Sequence, residues 1–309
     1  MTREFYSNGK LLITGEYVVL DGALALAVPT SYGQSLHATL IEEPFIRWVA
    51  RDHENKVWFE GDFLINGNAI ENLPSQSSSA VANRLQHILN EAHQLNPDLL
   101  RDNGFEIITR LEFPSSWGLG SSSTLINNIA SLFKTDPYKL LEKTFGGSGY
   151  DIAAAQNNEP LTYQLKNKER SILTVRLDPD FKDEIFFVHL NRKQDSRKAI
   201  EHYRMQSKEK LAEATEKISA LTQRFISCTS LNEMELLIEI HETLISQLLN
   251  TPKIKTSLFP DYPGAIKSLG GWGGDFVMAT GNKDAQEYFI KKGYTTVIPF
   301  DKMVKSGSK

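Results

Sequence analysis

Hydrophobic and polar positions alternate along much of the first third of the chain. Strand-like segments with this two-residue period occur between about residues 4 and 65, and another runs from Phe105 to Phe113. Apolar residues recur at helical spacing from near Ser79 to about Gln94, and again after the Phe105 strand. The members of that second stripe are Leu125, Ile129, Leu132 and Phe133. The pattern therefore predicts strands and helices in one mixed region.

The rest of the chain predicts a second group of elements. Strands are predicted around Leu161 and Ile172, and a composition change at 178–180 precedes a strand from Glu184 to Leu190. Two helical stripes follow, formed by Leu211, Ala214, Ile218, Leu221 and Phe225, and by Leu237, Ile240, Leu244 and Leu248. A strand, a helix and a strand are predicted at Asp275 to Thr280, Ala285 to Lys291 and Thr295 to Phe300. We expect two domains, residues 1–182 and 183–309, with both stripes in the core rather than at a cofactor.

Composition narrows the class of protein. The 34 basic and 38 acidic side chains give a net charge of -4, so there is no general reason to bind nucleic acid. A single cysteine, Cys228, excludes an internal disulfide and fits a reducing cytosol. The N-terminus is short and charged, and Glu16 interrupts the apolar run from Leu11 to Leu20, so neither a signal peptide nor a membrane span is expected. These features predict a cytoplasmic protein.

Small residues fill the segment from Pro114 to Thr124, between the predicted strand and the predicted helix. Glycines permit close backbone approach, and serines at a helix N-terminus lie where unpaired amides and the helix dipole favour a polyphosphate. The segment has neither the lysine of a Walker A loop nor the dinucleotide-binding spacing. A phosphate site here would take its cation from elsewhere in the chain. A glycine-rich turn with a serine-capped helix remains the structural alternative.

Two other segments offer charged groups. Lys10 enters the apolar run that begins at Leu11, and because a desolvated ammonium without a partner is costly, we expect an anion beside it. Asp151 follows the glycine-rich segment 146–150 and opens a predicted helix, whose dipole would keep the carboxylate ionised. Taken singly, each residue is also compatible with a structural place, at an exposed strand start or in an ordinary first turn.

A third glycine cluster lies between Lys267 and Asp275. Four glycines occur within five positions, at 270, 271, 273 and 274. Because each glycine loses backbone entropy on folding, stability alone does not explain the cluster. The cluster indicates close approach of a ligand.

In this order the segments resemble the signatures of the GHMP kinases, the superfamily named for galactokinase, homoserine kinase, mevalonate kinase and phosphomevalonate kinase. The resemblance covers residues of about 5 to 280. It implies an α+β, two-domain GHMP kinase fold. The N-terminal domain would be similar to domain 2 of ribosomal protein S5, and the C-terminal domain would be a ferredoxin-like α/β sandwich.

The resemblance also implies a site for ATP, Mg²⁺ and a small acceptor. Asp151 would be the base or orienting group for the acceptor hydroxyl, and Lys10 would stabilise charge. Ser122 and Glu142 would be magnesium ligands. Residues implied at the nucleotide phosphates are Pro114, Gly118, Leu119, Gly120, Ser121, Ser122 and Ser123. Residues implied at the acceptor are Glu16, Tyr17, Ser148, Gly149, Lys193, Ser196, Arg197, Gly271, Trp272 and Gly273.

The acceptor is predicted from finer features. Tyr17 and the segment 147–155 resemble phosphomevalonate kinases more than mevalonate kinases, which usually have histidine at the first position. Four basic residues between 192 and 198 can hold a phosphorylated acceptor, or form a solvated helix start. Trp272 stands where relatives usually have glycine and is expected to affect the acceptor pocket.

The sequence thus favours ATP-dependent phosphorylation of phosphomevalonate, in the mevalonate pathway of isoprenoid synthesis. Mevalonate kinase is the first alternative. Diphosphomevalonate decarboxylase and a catalytically silent binding protein of the same fold also stay open, as does a homodimer.

Overall fold

The computed structural model describes residues 2–73, 80–101, 103–192, 200–201, 203–272 and 274–306. Spatial contacts divide the chain into two compact units. The first contains the described residues of Met1–Gly9, Tyr32–Ser115 and Leu119–Gln156, and the second those of Lys10–Ser31, Ser116–Gly118 and Asn157–Lys309. The sequence-based domain boundary between residues 182 and 183 stays a prediction.

The described elements are as follows. The strands are β1 (Thr2–Thr14), β2 (Ala25–Ile41), β3 (Phe45–Arg51), β4 (Val57–Asn66), β5 (Ala69–Asn72), β6 (Gly104–Leu111), β7 (Leu161–Lys166), β8 (Glu169–Thr174), β9 (Ile185–His189), β10 (Ile266–Leu269), β11 (Phe276–Thr280) and β12 (Val297–Pro299). The α-helices are α1 (Ala80–Leu95), α2 (Ser121–Phe133), α3 (Pro137–Thr144), α4 (Tyr150–Gln156), α5 (Lys208–Ser227), α6 (Leu231–Leu249), α7 (Ile254–Leu258), α8 (Lys283–Lys291) and α9 (Phe300–Met303).

The first unit is a sheet with helices packed on one face. Its strand order is β5-β4-β3-β6-β2, and β3 and β6 form the parallel pair. The alternation predicted for β6 is confirmed, since Phe105 and Ile107 are buried while Glu106 and Arg110 are exposed. Successive strand side chains point to opposite faces, so only one face of β6 enters the core.

The helices of the first unit cover that face with apolar residues. In α2 the predicted members Ile129, Leu132 and Phe133 are fully buried, and they join one core cluster with Trp48 and Phe105. The period of the apolar residues thus gives α2 a wide buried stripe, which fixes its position on the sheet. Its N-terminal turn follows directly on the loop from Pro114.

The second unit contains the start of β2 with β7 and β8, and a separate antiparallel sheet of order β10-β11-β9-β12. Phe186, Phe259 and Phe289 belong to the core of this second sheet. The stripe predicted on α5 is confirmed for Ala214, Ile218, Leu221 and Phe225, which are all buried.

The stripe predicted on α6 is wrong in part. Leu237 and Leu248 are buried, but Ile240 and Leu244 are only half-buried. His241 and Glu242 take their place inside, together with Ile238 and Ile245. Both polar side chains have buried partners in the same unit, since His241 lies 3.1 Å from Glu16 and Glu242 lies 3.5 Å from Lys267.

No helix in the described residues is long and apolar enough to cross a membrane.

Candidate active site

The segment between β6 and α2 turns on two glycines. Gly118 and Gly120 have φ values of 67° and 87°, in the left-handed region that favours glycine. A Cβ on Gly118 would also overlap the carboxylate of Asp275. Both the backbone conformation and the position of the Asp275 side chain therefore favour glycine at position 118.

The first turn of α2 presents its backbone amides without an N-cap side chain, because the N-cap residue is Gly120. The Ser123 hydroxyl donates back to the Gly120 carbonyl at 2.9 Å, while Ser122 is exposed. The first-turn amides of a helix carry partial positive charge. With the exposed Ser122 hydroxyl, this turn has the donor set that phosphate oxygens require. Of the other predicted phosphate contacts, Leu119 is buried, and Pro114 and Ser121 are half-buried.

Lys10 reaches this loop from β1. Its half-buried side chain donates from Nζ to the Gly118 carbonyl at 3.0 Å. Lys10 and Gly118 belong to the same unit, although they are 108 residues apart in the chain. The anion predicted beside Lys10 stays a prediction, and the partner described here is a carbonyl of the segment from Pro114 to Thr124, the predicted phosphate loop.

Asp151 lies in the first turn of α4, as the sequence predicts. It is half-buried, and Oδ1 accepts a hydrogen bond from the Ile152 amide at 3.0 Å. Gly149, with φ of 89°, precedes it, and the Gly149 carbonyl accepts from Ala153 at 3.1 Å. Ser148 and Gly149 are both buried. Asp151 therefore lies at the positive end of the α4 dipole, as predicted.

The predicted magnesium ligands stay predictions. Ser122 and Glu142 lie in the first unit and are both exposed, Glu142 in α3. Hydroxyl and carboxylate oxygens belong to the ligand class that Mg²⁺ prefers. Among the described residues there is no group of three or more His, Cys, Asp and Glu side chains that could hold a metal ion.

A buried ionic cluster in the second unit was missed by sequence reasoning. Lys267 Nζ lies 2.6 Å from Glu16 Oε1 and 3.5 Å from Glu242 Oε1, and His241 Nε2 lies 3.1 Å from Glu16 Oε2. All four side chains are at most 2 % exposed. Burial raises the pKa of the Glu16 carboxyl, but Lys267 and His241 outweigh it and bring the net pKa below its ordinary value of 4.5.

Each residue of this cluster could have been noticed in the sequence as a polar residue within or beside an apolar segment. Glu16 interrupts an apolar run, His241 and Glu242 fall on the buried side of an apolar helix, and Lys267 stands next to Ser268 and Leu269. Charged residues are almost never fully buried unless they are paired. A role for Glu16 at the acceptor stays a prediction, and in this structure its carboxylate faces Lys267 and His241.

Tyr17 adopts a rare backbone conformation. Its φ is 62° and its ψ is -49°, and the Glu16 carbonyl accepts from the Val18 amide at 2.7 Å, which defines a γ-turn with positive φ. Such a conformation costs about 1–3 kcal/mol for a residue other than glycine. The Tyr17 hydroxyl accepts a hydrogen bond from the Trp272 amide at 2.7 Å.

Trp272 is buried rather than open to solvent. Its side chain is 5 % exposed, and Nε1 donates to the Pro252 carbonyl at 3.2 Å. Gly271 beside it is buried, and the Gly271 carbonyl accepts from Gly274 at 2.9 Å. The predicted effect of Trp272 on an acceptor pocket stays a prediction. The other predicted acceptor residues, Lys193, Ser196, Arg197 and Gly273, lie outside the described residues.

Comparison with known proteins gives structural matches only, since no family model and no curated protein sequence matches the chain. A Lactococcus lactis galactokinase complexed with galactose matches with a TM-score of 0.71 at 15% identity, covering 100% of this chain and 95% of the other. An L. major mevalonate kinase in complex with R-mevalonate matches with a TM-score of 0.68 at 15% identity, covering 100% and 98%.

A third similar structure is a Streptococcus pneumoniae phosphomevalonate kinase in complex with phosphomevalonate and AMPPNP. Its TM-score is 0.68 at 15% identity, covering 96% of this chain and 99% of that one. The three matches span almost the whole length of both chains in each pair. At this level of identity they show the fold alone, and this chain has the fold that these three kinases share.

Proposed function

We propose that this protein is an ATP-dependent kinase that transfers the γ-phosphoryl group of ATP to a small acceptor. The hydrogen bond from Lys10 to Gly118 carries the proposal, because the glycine loop has no lysine of its own and the structure brings one to it. Phosphoryl transfer depends mainly on positioning and on stabilising charge at the transferring group. The GHMP kinase fold supports the same chemistry.

The residues of the chain have the following roles in this proposal. The amides of Gly118 to Ser123 bind the phosphates of ATP, and Lys10 stabilises the charge that develops during transfer. Asp151 accepts a proton from, or orients, the attacking oxygen of the acceptor. When bound, Mg²⁺ neutralises phosphate charge, and Ser122 and Glu142 are the residues that would hold it.

Phosphomevalonate is the proposed acceptor, with mevalonate as the alternative. Tyr17 and the segment 147–155 support the first, because they resemble phosphomevalonate kinases. A solved phosphomevalonate kinase and a solved mevalonate kinase share the fold at equal TM-scores of 0.68, so the fold does not favour either acceptor.

A panel assay tests the function. The protein is incubated with ATP and Mg²⁺ and, separately, with mevalonate, phosphomevalonate, homoserine and simple sugars, while ADP release and product mass are followed. Addition of one phosphoryl group to an acceptor supports the kinase. Carbon dioxide release coupled to ATP consumption would instead identify a decarboxylase. Absence of ADP release with every acceptor, despite ATP binding, would identify a silent binding protein.

Lys10→Met is expected to lower kcat about 10²–10³-fold, as the loss of one preorganised donor does elsewhere. Lys255→Met is the matched control, because Lys255 donates to the Gly264 carbonyl at 2.7 Å in the same unit. Steady-state kinetics with the acceptor from the panel measure both variants. If Lys10→Met retained more than about a third of the wild-type kcat, Lys10 would have no role in stabilising charge.

A further inference from the structure

The strained turn at Tyr17 is not explained by the chemistry proposed above. A bulky residue at φ of 62° is an outlier, and such conformations persist only where the surrounding structure determines them. They occur most often at sites where backbone geometry matters for function. The contacts on each side of the turn therefore indicate which function the strained backbone of Tyr17 supports.

On one side, the buried ionic cluster holds the residue before Tyr17. Lys267 Nζ donates to Glu16 Oε1 at 2.6 Å, and Glu16 Oε2 lies 3.1 Å from His241 Nε2. On the other side, Val18 is fully buried and begins a tight turn that ends at Asp21. With both neighbours fixed, the backbone of Tyr17 cannot relax into an ordinary conformation.

The Tyr17 side chain extends from this fixed backbone to two other segments of the same unit. Its hydroxyl accepts from the Trp272 amide at 2.7 Å, within the third glycine cluster. Its ring stacks on Tyr203, with centroids 5.8 Å apart and an interplanar angle of 28°. The Tyr203 hydroxyl in turn donates to Asp21 at 2.5 Å. The Tyr17 side chain thus contacts both the glycine cluster and Tyr203, while the preceding residue, Glu16, belongs to the ionic cluster.

We propose that Tyr17 is a positioning residue that sets the backbone of Gly270 to Trp272, and through it the affinity for the acceptor; the second part rests on the proposed kinase function. Glycines at 270 and 271 leave this backbone many alternative conformations. The hydroxyl of Tyr17 selects one of them by satisfying the buried Trp272 amide. Tyr17 acts through Trp272 and has no step in phosphoryl transfer itself.

Tyr17→Phe removes the hydroxyl and keeps the ring. The Trp272 amide then loses its acceptor inside the protein, and the glycine cluster rearranges to satisfy it. We expect the KM for the acceptor to rise about tenfold or more, in proportion to the penalty for a buried donor without a partner. The KM for ATP is expected to stay within about twofold, because the Tyr17 hydroxyl holds the Trp272 amide, which lies in the third glycine cluster and not in the segment from Gly118 to Ser123.

A spectroscopic readout tests the positioning without reference to activity. The four tryptophans of the chain are labelled with 5-fluorotryptophan, and the ¹⁹F resonance of Trp272 is assigned with Trp272→Phe. Tyr17→Phe is expected to shift or split that resonance. Tyr262→Phe is the matched control, since Tyr262 is also buried and its hydroxyl donates to the Thr280 carbonyl at 2.5 Å. The control is expected to leave the Trp272 resonance unchanged.

Each result decides a stated part of the proposal. An unchanged Trp272 resonance in Tyr17→Phe overturns the positioning role, whatever the activity. A changed resonance with an unchanged acceptor KM, or with equal rises in the KM values for acceptor and ATP, overturns the link to acceptor affinity. If no acceptor in the panel is phosphorylated, the proposed kinase function fails and the link to acceptor affinity fails with it. The ¹⁹F result still decides whether Tyr17 positions the glycine cluster.

Discussion

Asp151→Asn is expected to reduce kcat by about 10²–10⁴-fold, the range associated with loss of a positioned general base. The amide keeps the size of the side chain and can still accept the Ile152 hydrogen bond, but it carries no charge and cannot take up a proton. The KM for ATP is expected to change little. Steady-state kinetics on the best acceptor of the panel, together with the melting temperature of the variant, provide the measurement.

Asp284→Asn is the matched control for this prediction. Asp284 also lies in the first turn of a helix, α8, so both substitutions remove a favourable interaction with a helix dipole. That interaction contributes about 0.3–1 kcal/mol at an exposed site. The control therefore reports the effect of the dipole on stability and is expected to leave kcat unchanged. Turnover of Asp151→Asn within threefold of wild type would rule out Asp151 as the catalytic base.

Lys267→Met is expected to lower the free energy of unfolding by about 3–5 kcal/mol, the usual loss when one partner of a buried ion pair is removed. Lys267 is fully buried, and its ammonium is the cation nearest to Oε1 of both Glu16 and Glu242. Without it, two carboxylates remain in a site that water does not reach. Urea denaturation at neutral pH measures the change.

Acidification provides a second readout for the same substitution. Because the folded pKa of Glu16 lies below its ordinary value of 4.5, its stabilising contribution is complete above that value and is lost as the pH falls through the folded pKa. In Lys267→Met the largest cause that lowers this pKa is absent. The variant is therefore expected to lose less stability than wild type between neutral pH and the acid range.

Lys292→Met is a control that shows how much of the loss in the free energy of unfolding depends on burial and how much on removal of a charge. Lys292 pairs with Asp261 at 3.0 Å at the surface, where solvent screens an ion pair and leaves it little effect on stability. The loss is expected to be several times smaller than for Lys267→Met. Equal losses in the two variants would show that burial does not increase the effect of removing Lys267 on the free energy of unfolding.

Local patterns predicted the elements that hold the candidate site. The alternation before Phe113 predicted β6, and the apolar stripe after Ser121 predicted α2. The glycines between them predicted the loop. The first-turn position of Asp151 was also predicted, because helix starts depend on a few neighbouring residues. The apolar spacing predicted the buried positions of α6 wrongly in part, because His241 and Glu242 are buried there beside Glu16 and Lys267.

The sequence by itself determined β6, α2, the first turn of α4 and the glycine segments that precede both helices, since period, φ preference and capping act within one or two turns of chain. It also showed that the phosphate loop lacks a lysine and that Lys10 requires a partner. Only the tertiary structure decided that Lys10 binds the loop through the Gly118 carbonyl. It also decided that Lys267 is buried against Glu16, 251 residues away in the chain, and that the Tyr17 hydroxyl binds the Trp272 amide. Such pairings depend on the balance of desolvation and contact in the folded chain, which no local pattern contains.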